Sequence, residues 1–368
     1  MSANRILVRG VNWLGDAVMT TPALLRLRAR FPAAHITLLT PEKLRDLWPK
    51  HPGVNEVISF TAGEGLFSIG RTLREKKFDL ALVLPNSPRS ALEVWLAHIP
   101  QRVGYARPWR NWFLTQAIPA RPGHVTMRKR SVVEIKQLIA SAPGPTLDSK
   151  LPTPDLLAHQ IHEYLHLAAM LGANPEPLPP CLTVSPEEIA ATGKKFSLAV
   201  GARLIFGLNP GAEYGPAKRW PTERFIAAAR EIQKRTNCVW VILGGKNDAE
   251  LAAGIASRLP PALNLAGQTS LRELLAVLSH CRVLLTNDSG PMHVAAALGV
   301  PVVVPFGSTS AELTGPGLPG DPQHRCLRSA APCAPCFRRV CPIDLRCLNG
   351  ISVAKVVSAV LEISAARQ

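Results

Sequence analysis

The sequence predicts an α/β fold with two halves, each built on a parallel sheet. Short apolar segments alternate along the chain with amphipathic segments of helical length, a pattern typical of βαβ units. The alternation runs twice and is interrupted by the proline-rich residues 174–180, which cannot form a helix. We therefore expect a first domain over residues 1–180, a second over 181–350, and a C-terminal helix over 351–368 that is free to pack back towards the first domain.

In the first half, the apolar segments predict strands and the amphipathic segments predict helices. One long helix is expected over residues 17–31, with Pro22 near its start, and a dense run of Pro and Gly over 142–154 predicts a long loop. The strands are predicted over residues 6–8, 36–39, 57–60 and 80–84, and further helices over 69–76 and 156–171.

The same pattern starts again in the second half. A helix over residues 222–235 is expected to be capped by Thr222. The other strands are predicted over 204–208, 239–243, 283–286 and 302–305, and the other helices over 249–259, 271–278, 291–298 and 353–364. Because ligands of open α/β sheets bind beyond the carboxyl ends of the strands, the loops that follow the strands are the expected place for a site.

Composition and charge narrow the class of protein. Apolar residues make up 47% of the chain and charged residues 18%, which indicates a globular rather than a disordered protein. The sequence has no apolar run of about 18 residues and no secretory signal at its N-terminus, so we expect a cytoplasmic protein. The net charge of +16 points to nucleic acid, an anionic membrane surface or phosphorylated substrates, or only to the arginine preference of a GC-rich genome.

Four of the eight cysteines lie close together, at Cys333, Cys336, Cys341 and Cys347. Zinc bound by this cluster and reduced, partly buried thiols both stay open, since the spacing matches no common zinc finger. The chain also has no Walker A loop and no Asp-x-Asp pair, and its Gly-x-Gly-x-x-Gly match at 315–320 contains two prolines and opens no helix. We therefore assign no metal ligand and no cofactor.

Two loops of the second half suit a diphosphate. Residues 286–297 follow a strand and open a helix, with Asp288 and Ser289 as candidate caps, so the segment is either an ordinary capped helix or an anion site. Residues 209–221 are rich in Gly, Ala and Pro, so a ligand can approach the backbone amides closely. The same segment contains the cations Lys218 and Arg219. A fixed cation there would stabilise a departing nucleoside diphosphate, and a solvated Lys-Arg pair is the alternative.

Two segments of the first half offer acceptor chemistry. Asp16 stands at a strand-to-helix turn, where it either caps the helix or acts as the base that takes a proton from an acceptor hydroxyl. Basic residues interleaved with aromatics would grip phosphates and sugars, press against an anionic bilayer, bind single-stranded nucleic acid, or form a solvated surface. They are Arg102, Arg107, Arg110, Arg121, Arg128, Lys129, Arg130 and Lys136, with Trp109, Trp112 and Phe113.

Taken together, these segments resemble the ADP-heptose:lipopolysaccharide heptosyltransferases of glycosyltransferase family 9, most closely those of the heptosyltransferase II type. The resemblance spreads across nearly the whole chain in the family's order. It rests on residues 12–16, 84–87 with 90–92, 210–221, and 287–290 with 293–297.

The resemblance implies a GT-B fold, in which two Rossmann-like domains, the first acceptor-binding and the second ADP-heptose-binding, face each other across a cleft. It implies an inverting, metal-independent transfer of heptose from ADP-heptose to the first heptose of a Kdo-lipid A acceptor at the inner leaflet, without nucleic acid as a partner. Asp16 would be the base and Lys218 the phosphate cation. The implied donor-binding residues are Asn12, Gly211, Ala212, Lys218, Asp288, Ser289, Gly290 and His293.

The alternatives are the same fold with an acceptor of the heptosyltransferase I or III type, or a basic nucleic-acid-binding protein with a degenerate transferase fold. The resemblance also leads us to expect peripheral association of this cytoplasmic enzyme with the anionic inner face of the membrane. The Cys333–Cys347 cluster has no counterpart in the implied chemistry.

Overall fold

The computed structural model describes residues 3–142, 156–198 and 203–366. By its packing the chain divides into two compact units: unit 1 is Met1–His124 with Leu157–Thr183, and unit 2 is Val125–Leu156 with Val184–Gln368. The described residues 125–142 therefore belong with the C-terminal part of the chain, which the boundary expected at residue 180 did not anticipate. The reason is apolar contact, because Ile135 packs against Cys333 and Cys336.

Each unit contains a six-stranded parallel sheet, which confirms the predicted α/β class. The strands of unit 1 are β1 (Arg5–Arg9), β2 (His35–Pro41), β3 (Glu56–Phe60), β4 (Leu80–Val83), β5 (Gln101–Tyr105) and β6 (Gln116–Ile118). The strands of unit 2 are β7 (Ile205–Asn209), β8 (Val239–Ile242), β9 (Ala262–Asn264), β10 (Leu284–Thr286), β11 (Val302–Pro305) and β12 (His324–Leu327). Central strands such as β4 and β8 are buried at every residue, since parallel sheets are covered on both faces.

Helices connect these strands. They are α1 (Leu14–Met19), α2 (Thr21–Arg30), α3 (Leu66–Glu75), α4 (Pro88–Leu96), α5 (Val132–Ala140), α6 (Ile161–Ala169), α7 (Pro186–Lys195), α8 (Thr222–Thr236), α9 (Ala249–Ala256), α10 (Leu271–His280), α11 (Gly290–Ala297), α12 (Ala311–Thr314), α13 (Arg346–Asn349) and α14 (Val353–Ala365). Within the described residues, none of them is both long and apolar enough to span a membrane.

Three local predictions need correction or lie outside the description. The long helix expected over 17–31 is two helices. Pro22 has no backbone N–H and so cannot donate a helical hydrogen bond at this point. The hydroxyl of Thr20 donates to the Ala17 carbonyl at 2.6 Å. Thr222 does not cap α8: it is the first helical residue, and Pro221 precedes it without a side-chain cap. Residues 143–154 of the expected long loop lie outside the described residues.

Both sheets have the same strand order. It is β3-β2-β1-β4-β5-β6 in unit 1 and β12-β11-β10-β7-β8-β9 in unit 2, which is the Rossmann order read from either edge. The direction of winding reverses between β1 and β4 in unit 1 and between β7 and β10 in unit 2. Ligands of such sheets bind at these switch points. The loops that follow these four strands include residues 10–16, 84–87, 210–221 and 287–290, which are the segments that the sequence singled out.

The C-terminal helix α14 packs within unit 2. Val356, Val360 and Ile363 lie in one buried cluster with Phe225 and Ile232 of α8. These contacts place the described part of this helix in the core of unit 2.

Candidate active site

Side-chain amides bind the two loops at the switch point of unit 2 to each other. The Asn287 Oδ1 atom accepts from the Trp220 backbone N–H at 2.9 Å, and its Nδ2 atom donates to the Pro210 carbonyl at 2.6 Å. Asn209 donates from Nδ2 to the Ser289 hydroxyl at 3.1 Å. Both asparagines are buried, so these bonds fix the relative position of the two loops.

Lys218 and Asp288 form an ion pair between the two loops. The distance from Lys218 Nζ to Asp288 Oδ2 is 2.7 Å, and the side chains are only 14% and 5% exposed. The hydroxyl of Thr309, which follows β11, donates to the same carboxylate oxygen at 2.5 Å. The ion pair and the Thr309 hydrogen bond thus hold the lysine charge in place between the two loops.

The first turn of α11 has no side-chain cap. Its N-cap is Ser289, whose side chain makes no capping hydrogen bond, and Asp288 is committed to Lys218 instead. Of the two expected cap candidates, Ser289 therefore occupies the N-cap position and Asp288 does not. His293 is buried in the same helix, so the arrangement combines first-turn amides, a helix dipole and a neighbouring cation.

The carboxylate of Asp248, which the sequence did not point to, lies where a side chain at Gly211 would be. A Cβ atom at this position would overlap the carboxylate of Asp248, which lies in the turn after β8 and accepts from the Gly245 N–H at 3.1 Å. Arg219 lies 3.5 Å from Asp248 and donates to the Ala212 carbonyl at 3.3 Å. The two basic neighbours therefore differ: Arg219 braces this loop, and Lys218 reaches the switch point.

Residues 337 and 339 of the cysteine-rich segment contact the loop that contains Lys218. Tyr214 donates from its hydroxyl to the Phe337 carbonyl at 2.9 Å, and the Arg339 guanidinium lies 5.1 Å from the Tyr214 ring. The Ala217 N–H donates to the Arg339 carbonyl at 3.0 Å. Gly215 has φ 149° and ψ 171°, a conformation nearly restricted to glycine.

Gly215→Ala is expected to lower the free energy of unfolding by about 1–3 kcal/mol, because alanine is strained in this backbone region. Its Cβ would also lie 2.5 Å from the Arg339 carbonyl oxygen. Chemical denaturation measures the change. The matched control is Gly254→Ala on α9, where a Cβ meets no atom within 4 Å and helix propensity favours alanine. Equal stability of the two variants would contradict the tight fit at Gly215.

The four clustered cysteines line one cavity of unit 2, together with Ile135, Ala217 and Ser308. Cys333, Cys336 and Cys347 are buried, and burial followed by the neighbouring Cys333 raises the pKa of the Cys347 thiol to about 12. None of the eight cysteines, all of which the structure describes, forms a disulfide bond. In the part of the chain that the structure describes, no three His, Cys, Asp or Glu side chains are arranged to hold a metal ion.

In unit 1, Asp16 lies in the first turn of α1, not at its cap. The helix begins at Leu14 with Trp13 as N-cap, so the capping interpretation of Asp16 is wrong. The carboxylate of Asp16 is partly exposed. The pKa of the buried Tyr164 hydroxyl is raised by burial first and then by the negative charge of Asp16. A partly exposed carboxylate at a switch point is suited to proton transfer.

A buried arginine holds the loop that leads to Asp16. Arg9 is 2% exposed and pairs with the fully buried Glu93, with 2.7 Å between Nε and Oε2. Its Nη1 atom donates to the Gly10 carbonyl at 2.5 Å and to the Asn12 side-chain oxygen at 3.0 Å. The structure thus places Asn12 as a partner of Arg9 in unit 1.

The predicted basic segment separates into different environments. Arg110 is fully buried, and burial lowers its pKa to about 10. Its guanidinium donates to the Pro85 carbonyl at 2.7 Å and so fixes the loop after β4. Arg121 pairs with Glu163 at 2.7 Å. Arg128, Lys129, Arg130 and Lys136 belong to unit 2. Arg110 and Arg121 therefore serve the packing of unit 1.

Comparison with known proteins agrees with this geometry. The chain matches glycosyltransferase family 9 (heptosyltransferase) over residues 66–139 and 144–346. It is 34% identical over 330 residues to lipopolysaccharide heptosyltransferase 2 of Salmonella typhimurium, with 85% of each chain covered, and the same figures hold for lipopolysaccharide heptosyltransferase 2 of Escherichia coli K12. The solved structure of E. coli ADP-heptose lps heptosyltransferase II superposes with a TM-score of 0.77 at 29% identity, covering 99% of both chains.

The two units of Rossmann strand order, together with the match to the solved heptosyltransferase II structure and to the family model, identify the chain as a glycosyltransferase of the GT-B fold. The chain belongs to glycosyltransferase family 9, the heptosyltransferase family. The resemblance, the fold class and the enzyme class predicted from the sequence are thereby confirmed.

Sequence reasoning missed Asp248, Thr309 and the support from residues 337–339. Asp248 and Thr309 both follow strand ends, as the Gly-Gly-Lys-Asn-Asp and Gly-Ser-Thr-Ser segments show, and that position is the signal that would have found them. The carbonyls of residues 337–339 left no signal, because any residue type supplies a backbone acceptor.

Proposed function

We propose that the protein transfers L-glycero-D-manno-heptose from ADP-heptose to the first heptose of heptosyl-Kdo2-lipid A, with inversion at the anomeric carbon, in inner-core lipopolysaccharide biosynthesis. The observation that carries this proposal is the Lys218–Asp288 ion pair at the switch point of unit 2, beside the first turn of α11, which has no side-chain cap. The choice of acceptor follows the relatives named heptosyltransferase 2.

The donor is assigned to the second domain, residues 181–350. Its diphosphate would contact Lys218 and the amides of Ser289 and Gly290, in the loop fixed by Asn287. Gly211, Ala212 and His293 complete the donor contacts, and Asp288 positions Lys218. Asn12 of the first domain is assigned a further contact with the donor.

The acceptor is assigned to the first domain, residues 1–180. Asp16 accepts the proton of the attacking hydroxyl as the new bond forms on the face of the anomeric carbon opposite ADP. The bond to the diphosphate oxygen breaks at the same stage, and ADP leaves with the negative charge. Lys218 and the α11 amides stabilise that charge, which is larger in the transition state than in the bound donor.

The acceptor carries lipid chains, so the enzyme works at the inner leaflet from the cytoplasm. Peripheral association with an anionic membrane surface is part of the proposal. The excess of 42 Lys and Arg over 26 Asp and Glu supports it, because anionic lipids attract basic proteins.

The experiment that tests the proposal measures ADP release from ADP-heptose with three acceptors: Kdo2-lipid A, the same lipid with one heptose, and the same lipid with two. Release only with the one-heptose lipid supports the proposal. Release with one of the other two would keep the donor chemistry and overturn the assigned acceptor. Absence of both ADP-heptose binding and ADP release would overturn the proposal as a whole.

A further inference from the structure

Two tryptophans of unit 1 are almost fully exposed. Trp109 and Trp112 are 83% and 86% exposed, and they lie three residues apart in the segment between β5 and β6. Single exposed apolar residues are common on soluble proteins, but two large aromatic side chains this close together are not. Trp109 also has φ 63°, which is unfavourable for a bulky residue.

Side chains of helix α4 and strand β5 contact this segment. Phe113 packs edge-on against Trp95 of α4, with 5.8 Å between ring centroids, and its carbonyl accepts from the Arg102 guanidinium at 2.7 Å. Residues 111–113 form a 3₁₀ turn that contacts α4. The two exposed tryptophans therefore belong to an ordered part of the fold.

Positive charge lies in this segment and in the adjoining strand β5, and no acid among the described residues neutralises it. Arg102, Arg107 and Arg110 have no carboxylate within 4 Å among the described residues, and their hydrogen bonds go to backbone carbonyls and to the Asn86 side-chain oxygen. These acceptors are neutral and therefore do not cancel the positive charge, and the Nε and Nη2 atoms of Arg110 are buried without a hydrogen-bond partner among the described residues. Burial, and then the like charge of Arg107, lowers the pKa of Arg110.

We propose that residues 107–113, called the Trp–Arg surface, dock onto a bilayer that contains anionic phospholipid. Trp109 and Trp112 enter the headgroup region, where indole rings are favoured, and Arg107 faces the lipid phosphates. Each basic residue near such a surface adds attraction that falls off with salt. The proposal rests on the proposed function only in its choice of a lipid partner.

Charge and side-chain type together favour this partner. Two exposed indoles beside Arg107, which is partly exposed and has no carboxylate partner among the described residues, match an interface that is apolar below and anionic above. A sugar acceptor would be bound in a concave pocket, whereas these two side chains are more than four-fifths exposed.

The test is co-sedimentation of the full chain with vesicles of phosphatidylcholine, with and without about 30% phosphatidylglycerol, in the absence of donor and acceptor. We expect binding to the anionic vesicles that weakens with salt, with a blue shift of tryptophan emission. Trp109→Ala/Trp112→Ala should lower the partition coefficient about tenfold, and Arg107→Gln should lower it several-fold. Phe67→Ala on α3, which removes an aromatic residue that is 81% exposed, is the matched control and should bind as the unchanged chain does.

Lack of binding to anionic vesicles, or equal binding of the double tryptophan variant, would overturn the Trp–Arg surface as the docking site. ADP release with a detergent-dispersed acceptor separates this outcome from the proposed function. The double variant should keep that activity, because neither tryptophan belongs to the assigned machinery. Vesicle binding without any ADP release would instead contradict the proposed function alone.

Discussion

Asp16→Asn is expected to lower kcat by about 10²–10⁴-fold, the range that a positioned general base contributes. The amide keeps the size of the side chain in the first turn of α1 but cannot accept the proton of the acceptor hydroxyl. The Kd for ADP-heptose should change by less than about twofold, because the base acts on the acceptor. Single-turnover ADP release measures the first quantity and isothermal titration the second.

The matched control for Asp16 is Asp46→Asn, which removes an exposed carboxylate from the same unit. It should leave kcat and stability unchanged. A loss of donor binding in Asp16→Asn as large as its loss of turnover would reassign Asp16 from base to donor contact. Turnover close to that of the control would remove Asp16 from the chemistry.

Lys218→Gln is expected to lower kcat/KM by about 10²–10³-fold, comparable to the loss of one preorganised group that stabilises transition-state charge. Weaker ADP binding should accompany the loss, because the same cation contacts the diphosphate in the ground state. The exposed Lys234→Gln on α8 is the control for a general effect of charge, and it should behave as the unchanged chain.

The ion pair complicates this test, since Lys218→Gln leaves the buried Asp288 without its cation. We expect a fall of about 1–3 kcal/mol in the free energy of unfolding for that reason. Lys218→Gln/Asp288→Asn should recover most of the stability and none of the turnover. Recovery of turnover in the double variant would show that Lys218 serves structure alone.

The sequence singled out the loops of the candidate site. Residues 12–16, 210–221 and 287–290 were singled out because each follows a predicted strand, and the sheets bring those strands to the two switch points. The partners within the loops were not predictable. Asp288 was expected as a cap and is the partner of Lys218, whereas Arg219 turns to Asp248. Side-chain pairing between distant segments depends on their separation in space, which spacing along the chain does not reveal.

The sequence by itself determined the alternation of strands and helices, the two-domain class and the family, because periodicity and motif spacing are local properties. Only the tertiary structure decided that residues 125–142 pack with unit 2, that α14 closes the core of that unit, and that Phe337 and Arg339 hold the Lys218 loop. These contacts join residues far apart in the chain through burial and backbone carbonyls. Neither leaves a pattern in the residue types, so they emerge only when the chain is folded.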